Sequence, residues 1–226
     1  SLFWGDKFVL ALYRARPLNN KKIELMVKEL AAKAGIKEPQ LYLIPSNAKN
    51  AFATGTFKGK IALTQGLLDL PDLELKAVLA HEIAHLKNKD VIIATLAATL
   101  AGAISYIAYW LRFALFFEDR DNPLGLVALF ITSIILPFAA LLIQLAISRT
   151  REFKADFGSA FLLKTGKPLA LALSRLHKES GQNQLRVNEG TAHLFIVNPL
   201  RGDFAKLFST HPPVEERINK LLSYKF

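Results

Sequence analysis

His81-Glu82-Ile83-Ala84-His85 sets two imidazoles four residues apart with a carboxylate beside them. On a helix, residues four apart lie one turn apart on one face. Two imidazoles so placed can take two corners of a zinc tetrahedron. Glu82 stands next to them, where it can accept a proton from a water that the metal activates. The chemistry implied is metal-assisted hydrolysis. The motif is short and also arises by chance, so the elements around it carry the weight.

Those elements begin with a helix after Pro71, with Asp72 as its N-cap, Glu74 in its first turn and Leu75, Val78 and Leu79 leading into the motif. The helix runs on toward Asp90. A zinc site needs a third protein ligand and one open position. The other histidines are His177, His193 and His211. Glu152 lies in Arg151-Glu152-Phe153-Lys154-Ala155-Asp156, just after a long apolar run. If the two apolar runs form a hairpin, its ends return to one side and bring Glu152 to His81 and His85. Asp156, one turn on, could accept the outer N–H of a ligand imidazole. The alternative for Glu152 and Asp156 is a solvated helix face paired with Arg149, Arg151 and Lys154.

No charged residue occurs from Val91 to Leu111 or from Asn122 to Ser148. Each run exceeds the roughly 18 apolar residues that suggest a membrane span. Two buried helices of a soluble core would usually keep a polar face. Tyr106, Tyr109 and Trp110 near one end of the first run suit an interfacial belt, and Pro137 within the second is tolerated in a packed membrane helix. Membrane helices are expected over 91–117 and 124–147, joined by a charged turn at 118–123. The net charge of +10 fits a basic surface near an anionic leaflet. With no nucleic-acid motif, and aromatic residues mainly in apolar runs, it does not indicate nucleic acid. The absence of cysteine excludes disulfides and thiolate ligands. The single methionine is Met26, so Ser1 does not read as a natural start.

The rest reads as mostly helical with a small antiparallel sheet, an α+β arrangement in one domain over 1–226. Asn20 to Ala34 is an amphipathic helix with Ile23, Val27, Leu30, Ala31 and Ala34 on one face and Gly35 as its stop. Strands are expected at Leu41–Ile44, Asn50–Thr54 and Ile61–Thr64, the last two as a hairpin turning at Gly55 and Gly59. Helices follow at Arg149–Leu163 and Pro168–Lys178, then an irregular loop at 180–197. A last helix carries Val214, Ile218, Leu221 and Leu222, with Pro213 in its first turn.

Four segments, in order along nearly the whole chain, resemble one family. Ala77-Val-Leu-Ala-His-Glu-Ile-Ala-His-Leu-Lys-Asn88 resembles the active-site helix of HtpX-type peptidases, gluzincins related to the CAAX prenyl endopeptidases. Asn50-Ala-Phe-Ala-Thr-Gly55 resembles the strand before it, Ser148-Arg-Thr-Arg-Glu-Phe-Lys-Ala-Asp156 the third-ligand segment, and Ser209-Thr-His-Pro-Pro-Val-Glu-Glu-Arg-Ile218 the C-terminal motif. The resemblance implies a zincin-like metallopeptidase domain interrupted by a transmembrane helical hairpin. It implies one zinc ion on His81, His85 and Glu152, Glu82 as base, and two further membrane helices upstream. It implies that His211 approaches the metal and stabilises the oxyanion, where physics alone gives a cap or loop residue. It implies that Asn50 and Ala51 lie on an edge strand that pairs with extended substrate. His177 and His193 read as bystanders.

The implied role is quality control of unfolded or damaged membrane proteins in the cytoplasmic (inner) membrane, with the catalytic domain facing the cytoplasm. The partners are those substrates and the lipid bilayer, without nucleic acid. A CAAX-type processing protease is the runner-up, normally with more membrane helices, and a non-catalytic scaffold would be free to lose motif residues that are intact here.

Overall fold

The structure is a computed structural model that describes residues 5–55, 58–116, 127, 131–179 and 211–226. The charged turn expected at 118–123 and the loop expected at 180–197 lie outside the described residues, as do 117, 124–126 and 128–130 of the two expected membrane helices. The chain forms two compact units. One comprises residues 1–91 and 149–226, and the other comprises residues 92–148.

In the first unit, helix α1 (Gly5–Leu12) and strand β1 (Arg16–Pro17) precede α2 (Lys21–Ala34). Asn20 caps α2 by accepting from the amides of Lys22 and Ile23, and Gly35 ends it in a left-handed conformation, φ 71°. Its buried face is Ile23, Val27, Leu30, Ala31 and Ala34, the stripe expected from the sequence.

Strands β2 (Gln40–Ile44), β3 (Ala51–Thr54) and β4 (Lys60–Thr64) join β1 in a four-stranded sheet of order β1-β2-β4-β3. The β3–β4 hairpin and the β1–β2 pair are antiparallel, but β2 and β4 are parallel, with Leu41 opposite Ile61 and Leu43 opposite Leu63. The sheet is therefore mixed, where an antiparallel one was expected. The cause is the place of β3: it takes the outer edge, so β4 folds back between β3 and β2 and runs in the direction of β2. β4 is buried along its whole length, as an inner strand should be, with Ile61, Ala62 and Leu63 supplying its apolar middle.

Helix α3 (Asp72–Asn88) carries the His-Glu-x-x-His motif and is buried from Ala77 to Ala84. Asp72 is its first helical residue and not its N-cap. The Pro71 carbonyl already accepts from Leu75 N at 2.9 Å, so the cap position falls one residue earlier, and the Asp72 carboxylate pairs instead with Lys22. Around α3 pack α2, helix α5 (Leu136–Leu163) and helix α6 (Lys167–Glu179), and α6 in turn carries α7 (Val214–Ser223). Pro213 stands one residue ahead of α7, at its cap.

Helix α4 (Asp90–Phe116) and α5, which follows a π-helical turn at Ile131–Ile135, are long and apolar enough to cross a bilayer. The π turn lies just ahead of Pro137, a residue without an amide hydrogen, and such local widening is how membrane helices accommodate proline. Only 6% of the apolar window of α4 and 25% of that of the second span are buried. Leu96, Leu100, Tyr106, Ile107 and Trp110 are all exposed. A soluble core helix would cover such residues, so the two helices are candidate membrane spans.

In the first unit α5 meets α3 along a seam of small residues. Ser159 Oγ donates to the Ala77 carbonyl at 2.8 Å, and Ala155 is fully buried. A Cβ added to Gly158 would come within 2.6 Å of the Ala84 Cβ. Gly158→Val should therefore destabilise the fold by about 1–3 kcal/mol, the usual cost of overpacking. Thermal unfolding of the purified variant checks this, and an unchanged midpoint would mean that the seam is not tight.

Candidate metal centre

Helix α3 presents His81, Glu82 and His85, α5 presents Glu152 and Asp156 one turn apart, and α7 presents Arg217. His211 lies just ahead of α7. All but His85, which is partly exposed, are buried. His81 Nε2 and His85 Nε2 face each other at 3.0 Å. Glu152 closes the group, with Oε2 3.7 Å from His81 Nε2 and Oε1 3.5 Å from His85 Nε2.

The outer nitrogen of each ring meets a carboxylate. His81 Nδ1 lies 3.0 Å from Asp156 Oδ1, and His85 Nδ1 lies 2.6 Å from Asp90 Oδ2. An ionised carboxylate only accepts, so it favours the tautomer with the proton on Nδ1 and the lone pair on Nε2. Two lone pairs and the Glu152 carboxylate then converge, with one donor atom from each residue all within 4.8 Å of one another. Convergent acceptors repel unless a cation or a proton lies among them. The donor set fits a metal ion.

The charges around it are unequal. Burial lowers the His85 pKa, but the Asp90 hydrogen bond and the Glu152 and Glu82 charges outweigh it and raise the value to about 9. Burial also lowers His81, against the pull of Asp156 and with the push of His85 and Arg217. Glu82 is raised to about 7, chiefly by burial, with Glu152 adding to the rise. His85, the Ala53 amide that donates to the Glu82 carboxylate, and Arg217 oppose it. A divalent cation beside Glu82 would draw it back toward its ionised form.

His211 Nδ1 lies 3.2 Å from Glu152 Oε2, which brings it into the cluster against the carboxylate of the third residue. Asn50 is tied to the end of β4: its N–H donates to Thr64 Oγ1 at 2.8 Å, and its carbonyl accepts from Thr64 N at 3.0 Å. Its side chain accepts from the Ala51 amide at 3.0 Å. Given that pairing and the alternation of an antiparallel ladder, the backbone groups of Ala51 and Ala53 face away from β4, on the edge of the sheet. The Glu82 carboxylate occupies the Ala53 amide on that edge. His177 Nε2 lies on the surface, 3.9 Å from Glu215 Oε1. His193 lies outside the described residues.

Two residues of the cluster went unassigned in the sequence. Arg217 is fully buried and forks onto Asp156 at 2.7 and 2.8 Å while reaching Glu152 at 3.2 Å. Its signal was an arginine in the last apolar helix, indistinguishable by pattern from a surface cation. Asp90 stands in the sequence where the motif helix is expected to run on, with nothing to mark it as a partner of His85.

A buried His-Glu-x-x-His helix beside a small mixed sheet, with a carboxylate from a later helix, defines a metallopeptidase. The chain belongs to peptidase family M48, whose model matches residues 17–225. It is 46% identical over 233 residues to a protease HtpX homolog of Desulfatibacillum aliphaticivorans, covering 98% of this chain and 75% of that protein. It is 44% identical over 233 residues to a protease HtpX homolog of Thermococcus kodakarensis, covering 97% of this chain and 80% of the other. The fold is similar to the crystal structure of S. mikatae Ste24p, with a TM-score of 0.67 at 19% identity, covering 99% of this chain and 55% of that one.

The raised His85 pKa gives metal binding a pH dependence. Below about 9 the metal-free His85 holds a second proton, which a cation on Nε2 must displace. Affinity should therefore rise with pH through the neutral range, by up to about tenfold per unit for one displaced proton. Competition titrations at several pH values measure this, and a profile flat from about pH 7 to 9 would mean that the metal-free His85 does not carry the second proton in that range.

Proposed function

We propose that the chain is an integral membrane zinc endopeptidase that hydrolyses peptide bonds in unfolded or damaged membrane proteins. The observation that carries the reading is the convergence of His81 Nε2, His85 Nε2 and Glu152 at 3.0–3.7 Å, with Glu82 on the same helix turn. Zinc bonds of about 2.0–2.1 Å in a tetrahedron set neighbouring donor atoms about 3.3 Å apart, and these separations bracket that value. Two imidazoles and one carboxylate with a fourth position open is a catalytic zinc set. When bound, zinc supplies Lewis acidity that polarises the scissile carbonyl and makes water nucleophilic at neutral pH.

The chain's own residues do the rest. Glu82 takes the proton of the attacking water and returns it to the leaving amine, a task for which a carboxylate beside a cation is ionised and ready. Asp156 and Arg217 hold His81 and Glu152 in place. His211 hydrogen-bonds the oxyanion as charge develops. The β3 edge at Asn50 and Ala51 takes an extended peptide as an added strand, which displaces the Asn50 and Glu82 side chains from the Ala51 and Ala53 amides, so backbone geometry presents the substrate and its sequence matters less. Such recognition suits unfolded protein.

In the purified full chain, Glu82→Gln should keep zinc and lose hydrolysis of an unfolded casein-type substrate by about 10²–10⁴-fold, the usual cost of a lost general base. Glu152→Ala should instead lose zinc, because the anionic ligand is gone. Wild-type turnover by the Glu82 variant would sink the mechanism, and full zinc occupancy in the Glu152 variant would sink the ligand set.

We further propose that the site faces the cytoplasm from a multi-pass position in the inner membrane. Lys87, Lys89, Arg149, Arg151 and Lys154 flank the apolar runs on the motif side, against Arg112 and Arg120 between them. Basic residues near spans stay cytoplasmic, while acidic ones count little. The chain has no cysteine, so single cysteines report topology cleanly. A cysteine replacing Asn122 should react with an impermeant thiol reagent in intact cells, and one replacing Lys220 only after lysis. The reverse pattern would put the site outside.

A further inference from the structure

Helix α3 stops three residues after His85. Asn88 is its last residue, and Lys89 takes a left-handed conformation, φ 57°, with its N–H closing onto the His85 and Leu86 carbonyls. The next residue, Asp90, opens α4. Had the helix run straight through, Asp90 would stand about 140° around the axis from His85, since each residue turns by about 100°, and its carboxylate would point away. The break at Lys89 instead swings Asp90 back, so that its Oδ2 lies 2.6 Å from His85 Nδ1. Asp90 is itself buried and braced, because Arg151 Nη1 donates to its backbone carbonyl at 2.6 Å. Arg151 is the residue next to Glu152.

From this geometry we infer that Asp90 is a positioning residue for the metal centre. It fixes the ring angle and tautomer of His85, and Arg151 locks it in place from the helix that supplies the third ligand. The inference rests on the zinc reading above. It gives His85 what Asp156 gives His81, an anionic acceptor on Nδ1 that turns Nε2 toward the metal and raises its basicity. The two carboxylates reach their rings differently. Asp156 comes from a distant segment and is held by Arg217, whereas Asp90 comes from five residues away and depends on one residue of left-handed backbone. The site thus needs a helix break at Lys89 as well as the motif ahead of it.

The test uses the full chain purified in detergent, with Asp90→Asn and Asp90→Ala beside wild type and Glu152→Ala. Zinc affinity is read by competition with a chromophoric chelator, and ligand geometry by the visible spectrum of the Co²⁺-substituted protein. Asp90→Ala should lose about 10–100-fold in zinc affinity, the usual effect of removing a ligand's orienting partner, and should change the cobalt spectrum. Asp90→Asn keeps an acceptor and a good helix-starting residue without the charge, so it should fall between wild type and Ala. A merely structural role at the start of α4 would move the unfolding of the metal-free protein and leave the cobalt spectrum of the Asn variant as in wild type. That result, or zinc affinity in both variants equal to wild type while Glu152→Ala loses it, overturns the assignment alone. Should Asp90→Ala fail to fold, the Asn variant still decides. A wild-type chain that takes up neither cation overturns the metal reading and this inference together.

Discussion

The buried guanidinium of Arg217 is the contact on which the rest of the centre depends. Glu152 and Asp156 lie one turn apart on α5, both buried, and two carboxylates without a counter-charge would not stay ionised in that setting. Arg217 forks onto Asp156 and reaches Glu152, which fits the planar geometry that favours Arg over Lys at such positions. Losing one partner of a buried ionic group typically costs about 3–5 kcal/mol, because the remaining charge is stranded. Through Asp156 the same residue sets the tautomer of His81. One side chain from the C-terminal helix therefore links the last ten residues of the chain to His81, more than a hundred residues earlier.

Charge explains why the groups tolerate burial, and packing explains why they meet. The α3–α5 seam brings Ala77 and Ala84 against Ser159 and Gly158, and the helices approach until a methyl on Gly158 would strike Ala84. Wider spacing would carry Glu152 out of reach of both imidazoles. The same small residues give little hydrophobic burial each, so the large apolar residues of α3, such as Leu75, Leu79 and Ile83, pack into the core while the small ones face α5. The helix is buried without a break from Ala77 to Ala84, and the polar groups it buries in its second half are His81 and Glu82.

Much of this was legible in the sequence because the governing signals are local. Helix periodicity located the buried face of α2, the motif helix and the last helix. Two uncharged runs located α4 and the apolar part of α5. The spacing of the motif named three chemical groups, and the demand of zinc for a third ligand drew attention to Glu152. Signals that require three-dimensional knowledge stayed silent. A visible hairpin predicts an antiparallel sheet, while the insertion of β4 beside β2 depends on long-range order. Asp72 looked like a cap because aspartate after proline usually is one, yet Pro71 supplied the first helical carbonyl. Arg217 reads as one more cation in a chain of net charge +10, and only its burial sets it apart.

Asp90 is the instructive case, because the misreading came from the rule that found the site. A helix period that places His81 and His85 on one face also predicts that the helix continues, and nothing in Leu86-Lys87-Asn88-Lys89 announces a stop as glycine would. A non-glycine residue in the left-handed region costs about 1–2 kcal/mol, and such strain persists where surrounding contacts over-determine it. Here those contacts are the cap bonds of Lys89, the Asp90–His85 hydrogen bond and the Arg151 bond to the Asp90 carbonyl. Together they tie Lys89, Asp90 and Arg151 around His85, so the strain falls where helix geometry alone would have left His85 without a partner.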